Sequence, residues 1–110
     1  MAQDAVLKWA DVKPVEMVPG LMRRTLSETA DAMLVEARAE AGVTVPLHKH
    51  VNQQIVYVVS GRLELTINGT THVCEPGDSI GIEGNVEHSA YFPVETVQID
   101  CFSPPRAEYR

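Results

Sequence analysis

Two histidines one residue apart, His48 and His50, stand six and eight positions after Gly42, and Gln54 follows four residues on. Side chains of extended backbone alternate between faces, so His48, His50 and Gln54 share one face if the segment stays extended. Two imidazoles on one face can grip a single metal ion, whereas the same pair on a solvated surface does no chemistry. A third histidine, His88, lies downstream and could complete a three-imidazole set. Gln54 offers an amide oxygen. It is either a fourth, neutral ligand or a hydrogen-bonding group beside three imidazoles. A glutamate there would lower the site's net charge and could act as a base; a glutamine does neither, leaving a bound metal more electrophilic and better able to hold an anion.

A second cluster lies near the C-terminus. In the run from Val94 to Phe102, Gln98, Asp100 and Phe102 fall on one face and Val97, Ile99 and Cys101 on the other. The apolar set suits packing, which puts Asp100 on the opposite side, a costly place unless that side faces a cavity or partner. Arg106 follows four residues after Phe102. Taken from these residues alone, the segment reads as an edge strand with a solvated Asp100 and an exposed Arg106, or else as a wall of the site.

The elements that would position these groups are short strands. Residues 1–20 show no period, with short extended pieces suggested near Val12, Val15 and Val18. Strands are expected at Leu21 to Ser27 and at Met33 to Ala41, where partial alternation outweighs the helix-compatible Ala, Glu and Arg. From Gly42 onward the β signal is strong. Gln54 to Ser60 is rich in β-branched residues and ends at Gly61; Arg62 to Ile67 alternates cleanly. Asn68-Gly69 is a hairpin turn leading into Thr70 to Cys74. Pro76-Gly77-Asp78 and Gly84-Asn85 turn the chain around strands at Ser79 to Ile82 and Val86 to Phe92, and Val94 to Phe102 comes last. Eight or more short strands in 110 residues give an all-β sandwich or small barrel, read as one domain over residues 1–110.

Composition narrows the partners. The formal net charge is −6, which argues against nucleic acid or an anionic membrane surface, since both call for a basic patch. No run reaches transmembrane length. The opening MAQDAVLKWADVKP lacks an apolar core flanked by basic residues, so no signal peptide is expected and the location reads as cytoplasmic. Only two cysteines are present, Cys74 and Cys101, both expected as buried thiols rather than a disulfide framework.

Gly42-x5-His48-x-His50-x3-Gln54-x6-Gly61 resembles the first motif of the cupin superfamily, which usually has glutamate at the position of Gln54. Gly77-x5-Glu83-x-Asn85-x2-His88 resembles the second, with Glu83 and Asn85 replacing the usual proline and glycine and Phe92 standing where asparagine is frequent. The resemblance covers residues 42–61 and 77–92 and implies a double-stranded β-helix, the cupin or jelly-roll barrel. It implies one divalent transition metal (Ni, Zn, Fe, Co or Mn) on His48, His50, Gln54 and His88, and a homodimer. The HxHxxxQ form of the first motif and the ending Ile99 to Tyr109 are similar to small KdgF-type cupins, which linearise 4,5-unsaturated uronates released by pectate and alginate lyases. Carried over onto this chain, that likeness implies catalytic roles for Asp100, Phe102 and Arg106, a sugar-acid substrate and an isomerase-type reaction, with Tyr91 and Gln98 as neighbours of the site. The same scaffold leaves two alternatives: an iron-dependent dioxygenase, made less fitting by Gln54, and a non-catalytic binding protein for sugars or small acids.

Overall fold

The computed structural model describes residues 5–110. The first four residues, which begin the stretch read above as lacking a signal peptide, lie outside the described residues. Ten strands follow a short 3-10 turn at Trp9–Asp11: β1 (Val15–Val18), β2 (Leu21–Glu28), β3 (Met33–Ala39), β4 (Val43–His48), β5 (Gln53–Ser60), β6 (Leu63–Ile67), β7 (Thr70–Cys74), β8 (Ser79–Ile82), β9 (His88–Phe92) and β10 (Thr96–Ser103). A second 3-10 turn, Ala107–Tyr109, closes the chain. The strands form two antiparallel sheets, one ordered β1-β2-β3-β10-β5-β8 and the other β4-β9-β6-β7. They pack face to face as a jelly-roll barrel around Leu21, Ala37, Val56, Val58, Leu63, Leu65 and Phe92.

Turn chemistry sets the register. Asn68 (φ 47°) and Gly69 (φ 82°) both take the left-handed region, as a two-residue hairpin requires, and Ile67 pairs with Thr70. Asn85 also takes positive φ, 62°, a region asparagine tolerates better than most residues. It can therefore stand where the cupin motif usually has glycine. Gly61 is constrained twice: its φ is 89°, and a Cβ there would run into the Glu95 carbonyl oxygen.

β10 departs from the edge-strand expectation. It lies between β3 and β5 in the middle of the six-stranded sheet. Its buried row is Thr96, Gln98, Asp100 and Phe102, while Val97, Ile99 and Cys101 are half-buried on the outer face. The apolar row is thus not the inner one: the inner face borders a cavity that accepts polar groups, and a central strand has no solvated side chain on that side. The cysteines are both free; Cys74 is buried, but Cys101 is only half-buried, on that outer row. β9 begins at His88 rather than Val86 and β10 at Thr96 rather than Val94, because the Gly84 and Pro93 turns consume the preceding residues. Outside the six-stranded sheet the Trp9 indole stacks on the Arg24 guanidinium (3.7 Å) and donates to Glu36 Oε1 (2.9 Å). No helix among the described residues is long and apolar enough to cross a membrane.

Candidate metal centre and acid pocket

Two strand ends and a loop bring the histidines together. His48 ends β4 and His88 opens β9, and the two are direct cross-strand partners. His50 reaches them from the 49–52 loop rather than from a continuous strand. The extended run expected through Gln54 breaks after His48 and resumes at Gln53. That loop is pinned from two sides. The Asn85 N–H donates to the His50 carbonyl oxygen at 2.7 Å, and Asn52 Nδ2 donates to the Pro104 carbonyl oxygen at 2.6 Å. The ring centroids of His48, His50 and His88 lie 4.3–5.7 Å apart, and one nitrogen from each falls within 4.8 Å of the others.

The second ring nitrogens fix the tautomers. Nδ1 of His48 donates to the Pro46 carbonyl oxygen (2.8 Å), that of His50 to Asn52 (2.9 Å) and that of His88 to Val86 (2.8 Å). A carbonyl oxygen can only accept, so each Nδ1 carries the hydrogen and each Nε2 presents a lone pair. Nε2 of His50 and of His88 are buried with no hydrogen-bond partner among the described residues. Burial holds both imidazoles below the ordinary value near 6.5, the charges of His48 and Arg106 adding to that effect and backbone hydrogen bonds opposing it. Three imidazoles grouped this closely, each anchored to a backbone carbonyl through Nδ1 and two of them with a buried, unpartnered Nε2, fit a divalent metal.

Facing this trio is a carboxylate network. Along the inner sheet face Phe102 pairs with Gln54 and Met33, and Asp100 with Val56 and Val35. Asp100 is 5% exposed. Burial between two valines pushes its carboxyl up to about 6, against the hydrogen bonds of Gln98 and Gln54 and the charge of Arg106. Gln98 Nε2 donates to both carboxylate oxygens (3.0 and 3.2 Å) and Gln54 Nε2 to Oδ1 (3.3 Å). Gln54 therefore spends its N–H on Asp100, which leaves its amide oxygen free to accept or ligate.

Arg106 lies in the same cavity with 13% of its side chain exposed, not out in solvent. It packs over the Phe102 ring (5.4 Å to the centroid), and Phe102 meets His50 edge-on at 5.8 Å. His48, Gln54, His88, Gln98, Asp100, Phe102, Arg106 and Tyr109 all border this cavity of about 70 Å³. A groove of about 210 Å³ past Met17 and Val45 shares its His48, Arg106 and Tyr109 walls. Tyr91 does not border the cavity: it is exposed on β9, one position out of phase with the inward residues. Sequence reading overlooked Asn52 and Tyr109. An asparagine two residues after His50, and a tyrosine three residues past Arg106, were the available signals.

Comparisons with known proteins agree with this architecture. The cupin domain family matches residues 35–97. The chain is 32% identical over 96 residues to the pectin degradation protein KdgF of Dickeya dadantii, covering 86% of this chain and 87% of that protein. Among solved structures, KdgF from a Halomonas species superposes with a TM-score of 0.90 at 26% identity, covering 98% of this chain and all of that one. An RmlC-like cupin from Shewanella frigidimarina gives 0.91 at 27% identity, covering 98% and 97%.

Proposed function

The chain belongs to the cupin family, as a small KdgF-type member, and from that premise we propose that it is an isomerase-type enzyme opening cyclic 4,5-unsaturated uronates to linear keto acids. The observation that carries this reading is one cavity bordered by a desolvated Asp100 with its carboxyl pushed up to about 6, the Arg106 guanidinium and the rings of His48 and His88, with His50 grouped against those two rings. His48, His50 and His88 would hold a divalent metal, with Gln54 as the neutral fourth ligand. Such a metal supplies Lewis-acid stabilisation of negative charge on a substrate oxygen.

The chain's own residues supply the rest. Arg106 has its Nε buried without a partner among the described residues, a free donor that suits the substrate carboxylate. Phe102 presents a flat apolar wall. Asp100, ionised, accepts the proton of the anomeric hydroxyl. The C1–O5 bond breaks, C1 becomes an aldehyde, and the electron pair passes to O5 of the C4=C5 enol ether. Asp100 then returns the proton to C4, leaving a ketone at C5. Atoms and electrons balance within one molecule, so neither oxidant nor nucleotide is needed. A carboxyl near 6 is suited to both halves of this transfer at neutral pH. Two free thiols suit a cytoplasmic, reducing location.

The test is turnover of pectin- and alginate-derived unsaturated monouronates by metal-loaded protein, followed as loss of the conjugated ultraviolet chromophore. Loss faster than in buffer, without oxygen consumption, is expected. Oxygen uptake would point to a dioxygenase, and binding without turnover to a binding protein.

A further inference from the structure

The C-terminal tail crosses the barrel mouth, and its tyrosine separates two spaces. Tyr109 borders the barrel cavity and its groove, and also a third space of about 400 Å³ walled by Lys13, Arg23 and Arg110. Arg106 lines the first two spaces and not the third; Arg23 lines the third and not the first. The ring lies between these guanidiniums, 4.1 Å from the carbon of Arg106 and 4.4 Å from that of Arg23. Arg23 pairs with Ala37 across β2 and β3, so its side chain leaves the sheet on the same side as the cavity-lining Leu21 and Ala37. Its Nε is buried with no partner among the described residues. Arg23 thus faces the site, with the tyrosine in between.

The partition is fixed in place. Thr25 Oγ1 donates to the Tyr109 carbonyl oxygen (2.6 Å), and Arg110 pairs with Glu28 (3.0 Å), both anchors on β2. The ring packs edge-on against Phe102 (5.6 Å), and its hydroxyl accepts from Arg106 Nη1 (2.9 Å). We propose that Tyr109 is the residue that limits this site to a single uronate unit, by walling the cavity off from Arg23. This rests on the uronate reading above. A sugar acid whose carboxylate meets Arg106 abuts the ring, so a second sugar joined beyond it has no room. With the ring removed the spaces join, and a second carboxylate meets a guanidinium that already lacks a partner. The wall keeps linked uronates, whose unsaturated ring has its anomeric oxygen tied up in the glycosidic bond and so offers Asp100 no hydroxyl proton, from occupying the site unproductively.

Calorimetric titration of metal-loaded protein with galacturonate, mannuronate and their saturated dimers tests this. The wild-type protein should bind a monomer at least tenfold tighter than its dimer. Tyr109→Ala should narrow or reverse that ratio by tenfold or more, Tyr109→Phe should keep it, and adding Arg23→Gln to Tyr109→Ala should cancel the gain. Equal binding of monomer and dimer by the wild type overturns the proposal without any variant needing to fold. So does an unchanged ratio in Tyr109→Ala, or a gain indifferent to Arg23. Discrimination without turnover of any unsaturated monouronate would overturn the enzymatic reading and leave the wall standing. Absence of all uronate binding removes both.

Discussion

Replacing Asp100 by asparagine removes one ionisable group from the barrel interior while nearly preserving its shape. In metal-free protein the carboxyl of folded Asp100 sits at about 6, against an ordinary 3.8. Below pH ~4 both folded and unfolded chains hold the proton, and the ionisation costs nothing. Between pH ~4 and ~6 the unfolded chain releases the proton first, so stability falls as pH rises. Above ~6 both states are ionised and the loss is complete. The gap between 3.8 and about 6 corresponds to about 3 kcal/mol. His50 and His88, held below their ordinary value by burial, act in the opposite sense, gaining stability as pH rises towards 6.5. Both proteins share them, so they cancel in the difference. Urea unfolding of chelator-treated wild-type and Asp100→Asn protein from pH 4 to pH 7.5 is the assay. The asparagine variant should gain about 3 kcal/mol relative to wild type across that range, on top of a constant offset from re-paired Gln54 and Gln98 amides. A difference that stays flat with pH, or that moves the other way, would refute the claim that Asp100 is desolvated between Val35 and Val56.

Four further outcomes follow from the same geometry. Asp100→Asn should keep its metal content while turnover falls by about 10²-fold or more, read from the chromophore assay, the usual scale for losing a general acid-base group. Protein purified without a histidine tag should carry about one divalent ion per chain by elemental analysis, and His48→Ala with His50→Ala should reduce this to background. Arg106→Lys should raise KM by about tenfold or more while changing kcat less, because a charge-assisted hydrogen bond of at least ~1.5 kcal/mol is lost from substrate binding. Light scattering should show a homodimer rather than a 12.1 kDa species, and Ile99→Arg should yield the monomer. The outer sheet face carries in-register apolar rows, Leu34–Cys101–Ile55 and Ile99–Tyr57, with Ile55 58% exposed.

Several strands were readable because they are bounded by a residue whose backbone demand is visible in sequence. Asn68-Gly69 names its hairpin, Gly61 and Pro76-Gly77 end and begin their neighbours, and the alternation of Arg62 to Ile67 puts Leu63 and Leu65 inside. The grouping of His48 with His88 was also legible, through the resemblance of both stretches to the two cupin motifs. Two features were not. The polarity of β10 reads backwards by hydrophobicity alone, because its inner row faces a cavity where burial of Asp100 is tolerated through hydrogen bonds from Gln98 and Gln54. Strand order then decides the matter: alternation tells which residues share a face, but not which face a central strand turns inward. Tyr109 was hidden for another reason. Its place depends on Thr25 and Glu28, more than 80 residues away in sequence, and no local pattern announces a tail folding back over a barrel mouth.

Trp9 is the only tryptophan in the chain. Its indole is 44% exposed, lies over the Arg24 guanidinium and bonds Glu36, with the thickness of the six-stranded sheet between it and the histidines. Intrinsic fluorescence of this protein therefore reports on the docking of one N-terminal turn, not on the barrel interior. Its emission should be blind to metal or ligand in the cavity, and a denaturation curve followed through it should run ahead of the loss of strand ellipticity. Coincidence of the two curves would mean that the N-terminal turn comes away only when the sheet beneath it does.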